Sequence, residues 1–492
     1  MNLRSYGLKI FTNEVFLYLN IRYFSYFLQF INSLLLAKLL GQYHFGIWGI
    51  LLLIIQYLNF SHLGIPYSTN LILSLKNKYD KTQLINILAN SITITIFIGI
   101  IIIFTFLLFR FYDLNFFSDD NIYKYLLYVS LISAFNIWNE LFINIYRANG
   151  KLREIGFYQI IIQVLIVPIF FITKDKDSIL ILLLGAYIIG NFLSMLLFIL
   201  RFPYKLELKD FKISFSGIKY IIDKGFKLLI YNLSFLLILM SSRTVVSIFY
   251  TVESMGLYSF ANSLTQAAFM FFSVINFAFF SKIVNKLQDN ISNNETLDRI
   301  NRIREPYILG ISFVAYLTIF ILPVLFVFLN EYSQSFEILT ILLLSQISLN
   351  SCFGYSNVLI ARGKELVLAR ISLLTVVINI SLCFNFSYIL NLPLIYIAIS
   401  TFLSVSYYSF HVIYYTLNLL NKSNTIYTTM KIVYPLELLA PFIIFLIGTF
   451  VDHSIFYYGF AFILFLLLNL VKLKKVLKTI KQIIMDKHIL KY

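Results

Sequence analysis

Residues 201–227, with the sequence RFPYKLELKDFKISFSGIKYIIDKGFK, form the longest polar interruption between two long apolar blocks. Seven of these residues are Lys or Arg and three are acidic. Basic segments between membrane spans stay on the cytoplasmic side of the bilayer. The stretch therefore predicts a basic cytoplasmic hinge between two halves of an integral membrane protein.

Two short motifs recur in both apolar blocks. Residues 40–48 read LGQYHFGIW and residues 250–258 read YTVESMGLY, each between two apolar runs. Later in each block, residues 147–151 read RANGK and residues 360–364 read IARGK. The shared glycines of the two pairs are 210 and 213 residues apart. Two motifs that recur at nearly one offset indicate an internal duplication.

The composition is that of a membrane protein. The chain is 60% hydrophobic and 13% charged, and its mean hydropathy is +0.83. Apolar runs of about 20 residues, long enough to cross a ~30 Å hydrocarbon core, recur along the whole length. The predicted fold class is an all-α integral membrane protein with about 14 transmembrane helices. The predicted spans are 15–40, 45–63, 83–109, 122–145, 155–172, 178–200, 226–249, 256–280, 306–330, 336–360, 366–388, 392–418, 432–450 and 455–471.

These spans divide the chain into four regions. Residues 1–200 are predicted to form an N-terminal six-helix bundle, and residues 201–227 the hinge. Residues 228–418 form a second six-helix bundle, and residues 419–492 form helices 13 and 14 with a basic cytoplasmic tail. The repeat relates the two bundles and excludes the last helix pair.

Charge sets the predicted orientation. The net charge is +16, and 32 of the 39 Lys and Arg residues lie in segments on one side of the predicted topology, against 4 in the opposite loops. By the positive-inside rule, both termini are cytoplasmic. Because the basic residues follow the membrane topology so closely, we expect no nucleic-acid partner.

Two arginines within spans are candidate binding residues. A charged group at mid-membrane needs a partner, a water-filled cavity or access to the interface. Arg22 lies in the first span with Tyr26 and Gln29 about one helical turn apart on the same face. Arg243 lies in the seventh span, about six residues from its outward end. Both arginines and Gln29 are expected to line a ligand-binding cavity, and the alternative for the arginines is snorkelling to the headgroups.

The fourth and tenth spans carry matching polar stripes. Asn136, Glu140 and Asn144 recur at four-residue spacing in the fourth span, and Gln346 and Asn350 do so in the tenth. Corresponding polar faces in both halves predict that these spans face one cavity, with Asn350 as a ligand-binding residue. Glu140 is a candidate group for coupling to H⁺ or Na⁺. Its alternative role is a local ion pair with a nearby arginine.

Other chemistries have no support in the sequence. It has no phosphate-binding loop of the G-x-x-x-x-G-K-[ST] kind. Its five His are scattered and its two Cys lack metal-ligand spacing. We therefore predict no catalytic residues, no metal site, no cofactor and no enzyme activity.

The arrangement of motifs resembles a known superfamily. The turn LGQYHFGIW, the segment RANGK and their counterparts in the second half are similar to those of the multidrug/oligosaccharidyl-lipid/polysaccharide exporter superfamily. Fourteen spans in two six-helix halves with an extra pair look most like its polysaccharide flippases, of the O-antigen or Wzx type. The resemblance covers essentially the whole chain.

The resemblance implies a fold and a function. The two bundles are expected to form a V-shaped central cavity that opens by alternating access. The ligand is expected to be an undecaprenyl-pyrophosphate-linked sugar repeat unit, moved from the inner to the outer leaflet of the bacterial plasma membrane. Implied partners are this lipid-linked oligosaccharide and membrane lipids, with a polysaccharide polymerase and a chain-length regulator as further candidates.

Two other functions remain open for this sequence. A multidrug or toxin exporter of the same superfamily shares the architecture but usually has twelve spans. An O-antigen polymerase is an enzyme, and such proteins typically carry sizeable outward loops, whereas no outward loop here exceeds about a dozen residues.

The orientation predicts the outcome of reporter fusions. Fusions after Asp119, Asp177, Glu331 and His453 should report an extracytoplasmic position, and fusions after Lys212 and Lys487 a cytoplasmic one, because loop charge determines which side each loop occupies. Paired alkaline phosphatase and green fluorescent protein fusions measure this. One fusion on the wrong side would contradict the fourteen-span topology.

Overall fold

The computed structural model describes residues 14–74, 80–111, 120–207, 210–211, 214–287, 292–421, 425–451 and 455–485. These residues form α-helices joined by short turns and contain no β-strand. The helices are α1 (Glu14–Asn59), α2 (Ile65–Ser74), α3 (Lys81–Phe111), α4 (Asp120–Tyr123), α5 (Leu126–Ala148), α6 (Leu152–Ile166), α7 (Ile169–Ile172), α8 (Lys176–Leu200), α9 (Phe215–Phe249), α10 (Val252–Lys286), α11 (Asn293–Phe328), α12 (Phe336–Asn350), α13 (Tyr355–Ala361), α14 (Glu365–Phe384), α15 (Ile395–Leu419), α16 (Ile426–Val433), α17 (Leu436–Val451) and α18 (Ile455–Met485).

The all-helical, multi-span architecture is as predicted. Within the described residues, nine helices are long and apolar enough to cross a membrane, or up to eleven if each of two bent pairs is one span. Each predicted span overlaps a helix, and α1 alone covers the first two, with a kink at Gly41 where the turn was expected. The count of fourteen crossings stays a prediction. Helices prevail because the hydrocarbon core offers no partner for an unpaired backbone group.

The chain forms two compact units. One contains residues 1–236 with residues 251–259, and the other contains residues 237–250 with residues 260–492. In the first unit α1 packs against α6, and α5 packs against α2, α3 and α8. In the second, α15 packs against α12 and α14, while α11 packs against α12 and α18. The predicted division into six-helix bundles at residues 200 and 418 stays a prediction.

Corresponding helices in the two halves end in the same way. Gly150 follows α5 with φ 72° and Gly363 follows α13 with φ 64°. Lys151 N donates to Tyr146 O at 3.0 Å, and Lys364 N donates in the same pattern to Leu359 O at 2.7 Å. Each segment is a left-handed helix cap, which favours glycine because it lacks a Cβ. This shared cap supports the internal repeat.

The second part of the basic connector packs against the first unit. α9 begins at Phe215, so the helix starts inside the predicted hinge. Ile221 is fully buried in a cluster with Ile65, Leu88 and Leu141, from α2, α3 and α5. Upstream, Ser214 N donates to Asn90 Oδ1 at 3.1 Å. The end of the connector is therefore anchored to the first unit.

The first repeated motif forms a reciprocal contact within this unit. A Cβ added to Gly46 would overlap the carbonyl oxygen of Val252, and a Cβ added to Gly256 would overlap the carbonyl oxygen of Gln42. The repeat offset of 210 residues relates Gln42 to Val252 and Gly46 to Gly256. Such exchange of equivalent partners is characteristic of a two-fold relation. Glycine is required here because two helix backbones touch.

The thirteenth predicted span is broken at Pro435. α16 and α17 meet at a bend of 70° between Val433 and Leu436. Pro435 lies at the bend, and Leu439 N donates to its carbonyl oxygen at 2.8 Å. Because proline has no backbone N–H and clashes with the preceding turn, α16 cannot continue through it.

The contact predicts different results for three glycine-to-alanine substitutions. Gly46→Ala and Gly256→Ala should each destabilise the protein by about 1–3 kcal/mol, because the new Cβ forces packed backbones apart. Gly185→Ala in α8 is the matched control, because a Cβ there meets nothing within 4 Å. It should be neutral or stabilising by about 0.5–1 kcal/mol through helix propensity. Thermal unfolding in detergent measures this, and equal melting temperatures for all three variants would contradict the close contact.

Candidate functional site

Arg22 is held by neutral partners in the first unit. One guanidinium nitrogen donates to Gln159 Oε1 at 2.5 Å, and another donates to Tyr26 OH at 2.5 Å. The guanidinium carbon lies 4.5 Å from the centre of the Tyr26 ring. The Nε atom is buried and has no hydrogen-bond partner among the described residues. No carboxylate pairs with Arg22 in the described part of the chain, so its charge is available to an anion.

A second polar link joins the same two helices. Asn32 on α1 donates to the backbone oxygen of Gln163 on α6 at 2.9 Å. Asn32 is 2% exposed, and its Oδ1 atom has no partner within the described residues. The interface of α1 with α6 is thus lined by amide groups next to Arg22. Gln29, predicted to join Arg22 in the cavity, has an exposed side chain.

Glu140 belongs to a hydrogen-bonded group of amides in the same unit. Asn144 Nδ2 donates to Glu140 Oε1 at 3.0 Å, and Asn70 Nδ2 donates to Asn144 Oδ1 at 3.0 Å. Ser74 Oγ in turn donates to Asn70 Oδ1 at 3.2 Å. The carboxylate is half-buried. The group joins α5 to α2, which the sequence stripe on α5 alone did not predict.

Tyr18 and Arg147 lie between these two groups. Tyr18, 5% exposed, lies near both Arg22 and Arg147. Arg147 also interacts with Glu140, seven residues earlier on α5. Arg22 and Glu140, 118 positions apart in the sequence, therefore lie in one polar region of the first unit. Arg153, the other base considered for Glu140, lies 3.9 Å from Glu154.

Arg243 and Asn350 lie in the second unit. Arg243 on α9 is 5% exposed. Asn350 at the end of α12 is half-buried, and its Oδ1 accepts from Tyr307 OH at 3.3 Å. Asn276 donates to the same Tyr307 hydroxyl at 2.8 Å, and Tyr307 stacks on Phe353 with ring centres 3.9 Å apart. Asn350 is thus part of a polar and aromatic group that joins α10, α11 and α12.

A buried amide network next to Arg243 was missed from the sequence. Asn379 on α14 is fully buried and donates to Ser241 and Ser242 of α9 at 2.8 and 2.9 Å. Its Oδ1 accepts from Ser400 at 3.3 Å and Ser404 at 3.2 Å, both on α15. The network ties three helices together with neutral groups. An asparagine within an apolar span was the available signal, since such a group needs internal partners.

The arrangement contains no candidate metal centre in the ranges that the structure describes. No group of three or more His, Cys, Asp or Glu side chains converges there. The polar side chains of the spans are instead arginines, amides and hydroxyls, which suit hydrogen bonding to a polar or anionic ligand.

Comparison with known proteins identifies the family. A family model described as "Polysaccharide biosynthesis protein" matches residues 11–280, more than half of the chain. The chain belongs to this family. No curated protein matches it significantly.

Solved transporter structures share the fold of this family member. The lipid II flippase MurJ in an inward closed conformation has a TM-score of 0.69 at 17% identity. The alignment covers 96% of this chain and 100% of the flippase chain. An inward-facing multidrug resistance MATE transporter of the MOP superfamily has a TM-score of 0.66 at 14% identity, covering 85% of this chain and 99% of its own. An outward-facing MATE transporter has a TM-score of 0.55 at 15% identity, and the alignment covers 85% of this chain and 96% of that transporter.

Family and fold together define the class of protein. The chain belongs to the polysaccharide biosynthesis family, and it has the multi-pass helical fold of the MurJ flippase and of MATE transporters of the MOP superfamily. The predicted resemblance to the polysaccharide members of this superfamily is confirmed.

Proposed function

We propose that this family member flips undecaprenyl-pyrophosphate-linked oligosaccharide repeat units from the inner to the outer leaflet of the bacterial plasma membrane. Fourteen spans in two six-helix bundles with a V-shaped cavity would provide alternating access, with both termini in the cytoplasm. The product would be O-antigen or a related surface polysaccharide. The family match to polysaccharide biosynthesis and the fold likeness to a lipid II flippase support this proposal.

The observation that carries the proposal is the environment of Arg22. Its described contacts are an amide oxygen, a phenol hydroxyl and an aromatic ring, and none of these is an anion. A guanidinium binds phosphate oxygens through charge-assisted, often bidentate hydrogen bonds. Pyrophosphate would supply the missing negative charge, and the amides of Gln159 and Asn32 suit a sugar. Gln29 in the first unit and Arg243 and Asn350 in the second are further proposed ligand-binding residues.

The extent of the fold likeness also favours a lipid-linked substrate. The lipid II flippase covers 96% of this chain, and the MATE transporters above cover 85%. A flippase would have a helix pair after the twelve-span repeat, whereas a twelve-span exporter would not. That pair would account for the difference in coverage. A multidrug or toxin exporter is the second candidate, because the MATE fold likeness extends over most of the chain.

We also propose that Glu140 couples transport to an ion gradient. It is a carboxylate in a predicted span, in contact with Asn144 and linked electrostatically to Arg147. The amide oxygens of Asn144 and Asn70 already accept hydrogen bonds, which favours H⁺ over Na⁺ as the coupling ion. Protonation of Glu140 would weaken its attraction to Arg147 and so change the charge next to the Arg22 site.

Gene deletion with complementation tests the function. The deletion strain should accumulate lipid-linked repeat units on the inner leaflet and lack surface polymer, and the wild-type gene should reverse both effects. Complementation with Arg22→Ala should lower surface polymer at least about tenfold, because one charge-assisted contact to phosphate is lost. Lys38→Ala is the matched control, since Lys38 is an exposed cation on the same helix.

The readouts are surface polymer, lipid-linked intermediates and the amount of each variant in the membrane. Arg22→Lys should retain part of the transport, because the charge persists without the bidentate geometry. Normal polymer in the deletion strain with new sensitivity to cationic drugs would transfer the assignment to a drug exporter. Single repeat units displayed outside the deletion strain without long chains would instead indicate that this chain is the polymerase.

Glu140→Gln tests the coupling proposal separately. In everted vesicles a proton uncoupler should reduce transport by the wild-type protein, whereas the variant should transport slowly and be insensitive to the uncoupler. Glu207→Gln, an exposed acid in the connector, is the control and should behave as wild type. An uncoupler effect of equal size on both variants would exclude Glu140 as the coupling group.

A further inference from the structure

A cavity of about 310 Å³ opens where the last two helices meet α11 in the second unit. Its volume is at the lower end of the range for small-molecule sites, about 300–1,000 Å³. The polar residues that line it come from α11, from the start of α17 and from α18. They are Asn301, Arg304, Glu305, Glu437, Asn469 and Lys472.

The bend at Pro435 creates the inner wall. Because α16 ends before the bend, the carbonyl oxygen of Ile432 has no partner within that helix, and an Arg304 NH2 group donates to it. Arg304 Nε donates to Ser351 O, at the end of α12, at 2.7 Å. Arg304 is 8% exposed. One buried cation therefore caps two helix C-termini, where positive charge is favourable.

The outer wall combines one cation with two carboxylates. Lys472 Nζ lies 3.3 Å from Glu437 Oε1 and 3.5 Å from Glu305 Oε1. The two carboxylate side chains are 42% and 48% exposed, so they remain open to a ligand. With Arg304, the lining carries two positive and two negative charges. Such a site matches a ligand that bears both signs of charge.

Asn469 provides an unused acceptor in this wall. Its side chain is 1% exposed, and its Nδ2 donates to the backbone oxygens of Glu437 and Phe465 at 3.1 and 3.0 Å. Its Oδ1 has no hydrogen-bond partner among the described residues. A buried acceptor without a partner costs about 1–3 kcal/mol. A ligand that donates a hydrogen bond here would recover that free energy.

The cavity opens next to apolar surface. Leu436, beside the lining residue Glu437, is 68% exposed, and Val471, beside Lys472, is 82% exposed. On membrane-spanning helices such side chains face hydrocarbon. The loop charges predict that this end of the helices lies at the cytoplasmic interface. Headgroups at that interface are thus the ligands within reach, with acyl chains on the apolar surface.

We propose that this cavity binds the headgroup of phosphatidylethanolamine. Its phosphate would contact Lys472 and the Arg304 side of the cavity, and its ammonium group would donate to Asn469 Oδ1 and the carboxylates. Phosphatidylcholine carries the same charges but has no N–H to donate. Phosphatidylglycerol lacks the cation, and the two carboxylates would repel its charge. The bound lipid would fasten α17 and α18 to α11, independently of the substrate carried.

Native mass spectrometry of the full-length protein in detergent tests the proposal. The wild-type protein should retain added phosphatidylethanolamine at least about fivefold better than phosphatidylcholine or phosphatidylglycerol, because only the first matches both charges and the acceptor. Lys472→Met should abolish this preference. Lys474→Met removes the same charge from the same helix outside the cavity lining and should keep it.

The preference between lipids distinguishes binding from a structural role. Asn469→Leu should reduce the preference for phosphatidylethanolamine over phosphatidylcholine, and Glu437→Gln should improve phosphatidylglycerol binding. Melting temperatures measured without lipid identify any variant that is merely unfolded. The lipid preferences of the remaining variants then test the proposal. Equal retention of the three lipids by the wild-type protein, or equal loss of preference in Lys472→Met and Lys474→Met, would overturn the proposal.

Discussion

Internal satisfaction of polar groups is the constraint on which this protein depends. Hydrocarbon offers no hydrogen-bond partner, so the backbone folds into helices and each polar side chain within a span must find a partner in the protein, water or the headgroups. Asn379 meets this requirement with serines of two neighbouring helices. Arg304 meets it with carbonyl oxygens at two helix ends. Polar contacts of this kind fix which helices are neighbours.

Against this background, the incompletely paired groups are the informative ones. Arg22 keeps a charge that no described carboxylate balances, and Asn469 keeps an acceptor oxygen without a partner in the described residues. A polar group left in such a state costs free energy, and it persists where a ligand completes it. One such group lies between α1 and α6, and the other lies beside the bend before α17. We propose a transported anion as the ligand of the first and a resident lipid as the ligand of the second.

The repeat shows how sequence and structure correspond. The motif glycines were visible because their offsets are nearly equal, and the structure explains why glycine stands at them. Gly150 and Gly363 occupy left-handed caps, and Gly46 and Gly256 each allow the approach of a backbone carbonyl. The sequence could show that these positions are equivalent. It could not show that the equivalent positions of the first motif contact each other, because that depends on how two distant segments pack.

The sequence by itself determined the helical, membrane-spanning class, because hydrophobic length is a local property of the chain, and its motifs carried the resemblance to the superfamily. Arg22 and Glu140 also stood out, since a charge in an apolar run needs only local sequence to be noticed. Only the tertiary structure decided their partners, Gln159 and the Asn70–Asn144 pair, and revealed the cavity beside Arg304. These features join segments far apart in the sequence, and the packing of helices, rather than the periodicity within one helix, brings them together.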